Sequence, residues 1–325
     1  KKMSKHLFPK EPHRYVYGPV PSRRLGRSLG IDLIPCKLCT YDCVYCQLGK
    51  TTQKSIRRRT TVDLKRFEQE VKASLMSNPV LDCISIAGSG EPTLSLDLDD
   101  CARIIKTHTD KPLVLITNGS LLYRREVRVS IQNFDVIVPS LDAVSPALFK
   151  AIDRPHPDID ATKVVRGLRA VRESFLNAFN LEIMLAKGFN DTHAEMERIA
   201  RVVASIRPDT VQINLPARSP TSRSLMPSMV MVEQFSRILS QQGIPVQIVG
   251  KKPLLAAVDV KKTDSLYQEI VATLKRRPVT LHDLASVSGI SSAKLANILK
   301  KISASGYLLL NNKGYYRIAQ KEHTS

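Results

Sequence analysis

Four of the six cysteines of this 325-residue chain lie between residues 36 and 46, and this spacing limits their chemistry. A disulfide framework is improbable in a chain of this length that shows no secretion signal. A zinc ribbon would place about 15–20 residues between two Cys-x2-Cys pairs, whereas three residues separate Cys39 from Cys43. The sequence therefore predicts an iron–sulfur site, because closely spaced thiolates can bind several irons of one compact cluster.

The last three of these cysteines form the pattern Cys39-x3-Cys43-x2-Cys46, with Tyr45 before the last one. Three thiolates on a four-iron cube leave one iron without a protein ligand, so a small molecule can chelate it. Cys36 follows a proline and is expected to be a bystander. If it were a fourth ligand, the site would be a plain electron carrier.

The elements that must position these cysteines alternate between short apolar runs and helix-length segments. The apolar runs are too short for helices and are apolar on both faces, which predicts buried parallel strands. These strands are predicted at 31–34, 83–87, 113–117, 136–141, 181–186 and 211–215. Helices are predicted at about 62–76, 97–109, 121–132, 145–152, 162–178 and 193–206. A helix at 229–241 and a strand at 245–249 could close the domain. This alternation indicates repeated βαβ units and a parallel sheet.

Polar residues follow most of these strands, and in parallel α/β folds the ends of strands meet in one cleft. They are Gly88–Glu91, Thr117, Asn118, Ser140, Asp142, Lys187, Asn190, Asp191 and Asn214. We therefore expect a single shared site at this edge of the sheet.

The segment after residue 250 has a different pattern. Residues 251–263 are predicted to be a linker, and residues 264–325 a small winged helix-turn-helix domain of three helices and a hairpin. Its predicted third helix and wing carry basic residues that would contact phosphates, namely Lys294, Lys300, Lys301, Lys313 and Arg317. Ser291, Ser292 and Asn297 are candidates for reading bases. The same fold also docks peptides and proteins.

The net charge of +19 is concentrated at the two ends of the chain. Residues 1–60 carry 14 basic and 3 acidic residues, residues 61–260 carry 24 and 23, and residues 261–325 carry 11 and 4. This segregation favours a polyanionic partner over a merely soluble surface. Arg57–Arg59 are expected to add a basic patch near the cleft. The absence of Trp and the 5% aromatic content weaken the case for single-stranded RNA.

The cysteine motif resembles the hallmark of the radical S-adenosylmethionine superfamily, and the resemblance covers about residues 14–250. The sequence Ser89-Gly90-Glu91-Pro92 resembles the Gly-Gly-Glu-Pro element of that superfamily, with Ser89 in place of a glycine. This implies that Glu91 and the backbone of Gly88–Gly90 hold the methionine amino group. By the same resemblance Asn118, Ser140 and Asp142 would contact the ribose or the carboxylate, and Lys187 would pair with the carboxylate.

The resemblance thus implies a fold and a full set of site residues. The fold is α/β, a partial six-stranded (β/α) TIM-like barrel over residues 1–250, with residues 1–30 as a basic N-terminal segment. The winged helix predicted from the residue pattern follows it. The implied iron ligands are Cys39, Cys43 and Cys46. The implied cofactor-binding residues are Tyr45, Gly88, Ser89, Gly90, Glu91, Asn118, Ser140, Asp142 and Lys187.

Residues 17–26 (YGPVPSRRLG) and 41–49 (YDCVYCQLG) are similar to a branch related to the wyosine-synthesis tRNA enzymes. This implies an enzyme with a [4Fe–4S] cluster that cleaves S-adenosylmethionine to a 5′-deoxyadenosyl radical. Its electron donor would be of the flavodoxin or ferredoxin type. We expect a macromolecular substrate. We favour tRNA or another nucleic acid over a peptide or protein that the winged helix would dock. The alternative is an iron–sulfur redox sensor that binds DNA. With no signal segment and no apolar run of about 20 residues, a cytoplasmic location and no membrane contact are expected.

Overall fold

The computed structural model describes residues 14–22, 24–78, 80–216, 222–249, 264–288, 290–303, 308–310 and 314–318. The predicted linker at 251–263, residues 1–13 and Arg23 of the basic segment, and Lys313 lie outside the described residues. Within the described part of the chain, no helix has both the length and the apolar character needed to cross a membrane.

The main sheet is curled into a half-barrel, and its described part contains eight strands. They are β1 (Val16–Ser22), β2 (Gly26–Ile31), β5 (Cys83–Ile86), β6 (Leu113–Thr117), β7 (Val136–Pro139), β8 (Ala178–Met184), β9 (Thr210–Asn214) and β10 (Val246–Val249). Two further short strands, β3 (Leu38–Cys39) and β4 (Gln53–Lys54), pair with each other beside the cysteines. From β2 to β10 the neighbours are parallel and follow one another in chain order, which is the arrangement that consecutive βα units produce.

Helices connect these strands and cover the outer face of the sheet. They are α1 (Leu64–Ser77), α2 (Leu98–His108), α3 (Arg125–Val129), α4 (Pro146–Ile152), α5 (Ala161–Ser174), α6 (His193–Ile206), α7 (Ser222–Leu225) and α8 (Met229–Gln241). Asp63 and Thr192 cap α1 and α6 through their side chains. Fully buried residues such as Phe67, Phe134 and Phe179 fill the space between helices and sheet.

The sheet differs from the six predicted strands at its first edge. β1 was not predicted, and β2 ends at Ile31, where the predicted strand began. Glycines and prolines between residues 17 and 30 interrupt the apolar pattern, and the β1–β2 register shifts between Tyr17 and Val20. The helix predicted at 121–132 is reduced to the five residues of α3.

The C-terminal unit, defined as the described residues from 264 to 318, has its own small core. It contains α9 (Asp264–Arg276), β11 (Val279–Thr280), α10 (Leu281–Ser288), α11 (Ser292–Ser303), β12 (Leu308–Leu310) and β13 (Tyr315–Ile318). The three strands form an antiparallel sheet in the order β11-β13-β12. Thr280 and Asp283 cap the start of α10 reciprocally. The apolar faces of the helices meet in a cluster that includes Leu274, Leu295 and Leu299.

Candidate functional site

The cysteine motif lies in the loop after β2, and hydrogen bonds from two directions hold this loop. Carbonyls at the end of α4 accept the backbone amides of Asp42 (3.0 Å) and Val44 (2.9 Å). On the other side, Lys37 Nζ donates to the Gly49 carbonyl at 2.6 Å and lies 3.2 Å from Cys46 Sγ. The loop is therefore fixed by the fold before any ligand binds.

Cys39, Cys43 and Cys46 all line one open cleft of ≈ 320 Å³, whereas Cys36 is exposed outside it. None of the three is in a disulfide. Burial raises the pKa of Cys39 to about 12 and raises that of Cys43 well above its usual value. Cationic irons would favour the thiolate forms of such thiols, since metal binding displaces their protons.

The donor set suits a cluster better than a single ion. Among the described residues, no three His, Cys, Asp or Glu side chains converge as a mononuclear metal site requires. A [4Fe–4S] cube is ligated at separate irons, so its cysteines stand apart around it. Three free thiols on one loop facing one cleft fit that group.

Glu91 faces the same cleft from the loop after β5, and its buried carboxylate accepts four hydrogen bonds. Oε1 accepts Thr93 N (3.1 Å), Thr93 Oγ1 (2.6 Å) and Thr117 Oγ1 (2.5 Å), and Oε2 accepts Asn118 N (2.8 Å). Burial raises the pKa of Glu91, and these hydrogen bonds oppose that shift. The result is an oriented carboxylate at the cleft wall that could receive a ligand cation.

The residues before Glu91 pack against the cysteine segment so closely that only glycine fits at two positions. Gly88 has φ +136°, and a Cβ there would lie 2.3 Å from Asp32 Oδ1. A Cβ on Gly90 would lie 2.1 Å from the Leu38 carbonyl oxygen, which also accepts the Glu91 amide at 3.1 Å. Ser89 between them turns its hydroxyl to Asp32 and away from the cleft.

Asn118 and Ser140 line the cleft beside Glu91. Asn118 Nδ2 donates to Thr40 Oγ1 at 2.7 Å and lies 3.6 Å from Cys39 Sγ. The side chain of Asn118 therefore ties the end of β6 to the cysteine loop. These two residues, Glu91 and the three cysteines are brought together in one place.

Asp142 lies behind the cleft wall. Its carboxylate accepts hydrogen bonds from the hydroxyl of Tyr45, which does line the cleft, and from Met184 N at 2.7 Å. Asp153 Oδ1 lies 3.5 Å from both Tyr45 Oη and Cys43 Sγ. Burial raises the pKa values of both Asp142 and Asp153. The structure thus places Asp142 as a partner of Tyr45.

Two predicted basic features lie elsewhere. Lys187 is exposed and does not line the cleft, and its backbone amide donates to Leu225. Of the predicted patch Arg57–Arg59, none lines the cleft. Arg58 instead donates to the carbonyls of Thr93 (2.9 Å) and Ser95 (2.7 Å), so it supports the loop after Glu91 and is not a free rim charge.

Several cleft residues were not recognised in the sequence. Arg24 and Glu182 are two of them, and they form an ion pair that lines the cleft. The Glu182 carboxylate also accepts Nδ2 of Asn214, one of the predicted strand-end residues, at 3.0 Å. Arg276 and Arg277 at the end of α9 also line the cleft. No local pattern indicates that these arginines reach the half-barrel.

Comparison with known proteins agrees with this geometry. The family described as Radical SAM superfamily matches residues 33–203. A UPF0026 protein of Methanocaldococcus jannaschii is 33% identical over 79% of this chain and 78% of that protein. GTPase Obg of Brachyspira hyodysenteriae is 38% identical over 90% of this chain, which spans only 43% of that relative. Among solved structures, Streptococcus suis SuiB bound to S-adenosylmethionine is similar over 68% of this chain and 50% of that one, with a TM-score of 0.52 and 12% identity.

Proposed function

The chain belongs to the radical S-adenosylmethionine superfamily. On that premise we propose that Cys39, Cys43 and Cys46 hold its cluster. We also propose that the protein modifies a nucleic acid. It is an enzyme that uses a [4Fe–4S] cluster and S-adenosylmethionine. A cluster held by these three thiols would supply the electron for reductive cleavage of S-adenosylmethionine, and the resulting 5′-deoxyadenosyl radical would abstract hydrogen from the substrate.

One observation carries the assignment of residues: three free thiols, the Glu91 carboxylate and Asn118 face a single cleft. Glu91 would pair with the methionine ammonium group, because its four donors orient the carboxylate and favour its charged form against the effect of burial. Asn118 and Ser140 would orient the rest of the cofactor from the neighbouring strand ends. Tyr45, held by Asp142, would pack beside it and exclude water.

Another group of cleft residues would hold the substrate. Arg24, Glu182 and Asn214 form a hydrogen-bonded polar wall there, and polar groups of fixed geometry are what orient a ligand in a pocket. The radical can abstract a hydrogen atom only from a substrate that is held with that hydrogen in reach. We assign substrate orientation to this wall.

The C-terminal unit supports a nucleic-acid substrate. We propose that its three helices and three-stranded antiparallel sheet form a winged helix with α11 as the recognition helix. On α11, Lys294, Lys300 and Lys301 are exposed together with Ser291, Ser292 and Asn297. Exposed cations on one helix suit phosphate contacts. By its similarity to the wyosine-related branch, we propose tRNA as the first substrate to test, and a flavodoxin or ferredoxin as the reductant.

The test is anaerobic incubation of the reduced, cluster-loaded full chain with S-adenosylmethionine and total tRNA, with 5′-deoxyadenosine and the tRNA nucleosides measured together. We expect tRNA to accelerate 5′-deoxyadenosine formation and to acquire an altered nucleoside. Acceleration by a peptide mixture but not by tRNA would favour a peptide or protein substrate. Binding of duplex DNA that depends on cluster oxidation, with no cleavage of S-adenosylmethionine, would support the redox regulator.

A further inference from the structure

We propose that Arg276 of the C-terminal unit is a positioning residue for the loop Gly88–Glu91, acting through Asp32 and Ser89. The C-terminal unit would then be part of the S-adenosylmethionine site as well as a substrate-docking module. This inference rests on the proposed role of that loop in holding S-adenosylmethionine.

Arg276 is buried at the junction between α9 and the half-barrel, and its guanidinium is used entirely within the protein. Nε donates to Asp32 Oδ2 at 3.1 Å, and Nη1 donates to the Ala272 carbonyl at 3.0 Å. Nη2 donates to the carbonyl of Arg14, and the guanidinium carbon lies 5.2 Å from the ring centre of Tyr17. Because each nitrogen has a protein acceptor, Arg276 is suited to holding structure and not to binding a ligand.

Asp32 connects this arginine to the loop. The side chains of Arg276 and Asp32 are only 7% and 1% exposed. The carboxylate oxygen that accepts Arg276 also accepts Ser89 Oγ at 2.7 Å, and the other oxygen accepts Ser89 N at 3.2 Å. The missing Cβ of Gly88 is what lets the loop lie directly on Asp32.

The loop beyond Ser89 is continuous with the proposed cofactor contacts. The Ser89 carbonyl accepts the amide of Lys37 (2.8 Å), which precedes the cysteine loop, and Glu91 follows two residues later. Loss of Arg276 would remove the buried ion pair that it makes with Asp32. The Asp32 carboxylate would then lose a contact that fixes its position, and Ser89 would lose its fixed acceptor. The serine hydroxyl strengthens this link, since the glycine of the family pattern could contact Asp32 only through its backbone amide.

The experiment measures S-adenosylmethionine affinity by calorimetry on the cluster-loaded full chain. The variants compared are Arg276→Gln, Arg276→Lys, Ser89→Ala and the Arg276→Gln/Ser89→Ala double variant. Lys275→Gln, which removes one charge from the exposed side of the same helix end, is the matched control. Cluster absorbance and melting temperature are recorded for each variant.

We expect Arg276→Gln to weaken binding about tenfold, Ser89→Ala to weaken it by about threefold, and the double variant to bind no more weakly than Arg276→Gln alone. Arg276→Lys keeps the charge and should bind with intermediate affinity. Lys275→Gln should bind like the unmodified protein. A merely structural role would lower the melting temperature of Arg276→Gln without this non-additive pattern.

Unchanged affinity in a folded Arg276→Gln variant, or strictly additive effects, would overturn the proposal. If Arg276→Gln does not fold, unchanged affinity in Ser89→Ala would overturn it. Glu91→Gln separates the claim that the loop holds the cofactor from the claim that Arg276 positions the loop. If Glu91→Gln loses affinity while Arg276→Gln and Ser89→Ala retain it, the loop holds the cofactor but Arg276 does not position the loop. If all of them retain it, the proposed role of the loop itself is wrong.

Discussion

The backbone amide of Asn118 donates to Glu91 Oε2 at 2.8 Å and so joins the loop after β5 to the end of β6. The side chain of the same asparagine continues this link to Thr40, next to Cys39. Two adjacent strand ends and the cysteine loop are therefore coupled through two residues. This coupling allows the carboxylate and the thiols to keep a fixed relation across the cleft.

Glu91→Gln is expected to weaken S-adenosylmethionine binding by about tenfold to a hundredfold while leaving the cluster absorbance unchanged. The substitution removes the charge that would pair with the methionine ammonium group, and hydrogen bonds to charged groups contribute about 1.5–3 kcal/mol. Calorimetry on the cluster-loaded protein measures this. Glu197→Gln, on an exposed face of α6, is the control. Equal affinity in Glu91→Gln and Glu197→Gln would contradict the assignment of Glu91.

Replacement of Cys39, Cys43 or Cys46 by Ala is expected to abolish the visible absorbance of the reconstituted cluster. Cys36→Ala should retain it, because Cys36 is exposed outside the cleft. Iron and sulfide analysis gives the stoichiometry of each variant. Loss of the cluster in Cys36→Ala, with the other three cysteines intact, would show that the ligand set is wrong.

The sequence predicted those parts of the fold that local patterns determine. The bounds of β6, α6 and α8 agree with the predicted ones, since each is an apolar pattern of regular period between clear ends. β1 was missed because Gly18, Pro19 and Pro21 mask strand alternation. The short α3 follows from a turn at residues 118–124 that the apolar pattern does not reveal.

The candidate site was predictable to a similar degree. Glu91, Asn118 and Ser140 follow strands, so parallel topology alone brings them to one edge. Asp153 carries no such signal, since it follows α4 and meets the cysteine loop only in the folded chain. The Arg276–Asp32 pair spans 244 residues, and no local periodicity encodes a contact between two units.

Gly90→Ala is expected to destabilise the protein by about 3 kcal/mol, because the new Cβ would lie 2.1 Å from the Leu38 carbonyl oxygen and the backbone would have to move. Gly188→Ala is the control. It meets no atom within 4 Å but has φ +78°, so it should cost only about 1 kcal/mol of backbone strain. Denaturant unfolding of both variants measures the difference. Similar losses of unfolding free energy in the two variants would mean that the backbone near Gly90 can move aside with little loss of stability.

Substitution of Lys294, Lys300 and Lys301 together by Gln is expected to weaken tRNA binding by about tenfold or more at low salt and to reduce the salt dependence of binding. These lysines are exposed on α11, so the melting temperature should change little. Lys65, Lys72 and Lys111, exposed on the half-barrel, provide a triple control of equal charge. Equal loss in both triple variants would indicate nonspecific attraction, and no loss in either would argue against α11 as a nucleic-acid contact.

The most direct test is chromatographic measurement of 5′-deoxyadenosine after anaerobic incubation of the reduced, cluster-loaded full chain with S-adenosylmethionine, in parallel with Cys43→Ala. We predict 5′-deoxyadenosine and methionine in equal amounts from the unmodified chain, and neither from Cys43→Ala. An intact, reduced cluster that neither binds S-adenosylmethionine by calorimetry nor yields 5′-deoxyadenosine, with or without tRNA, would contradict the account.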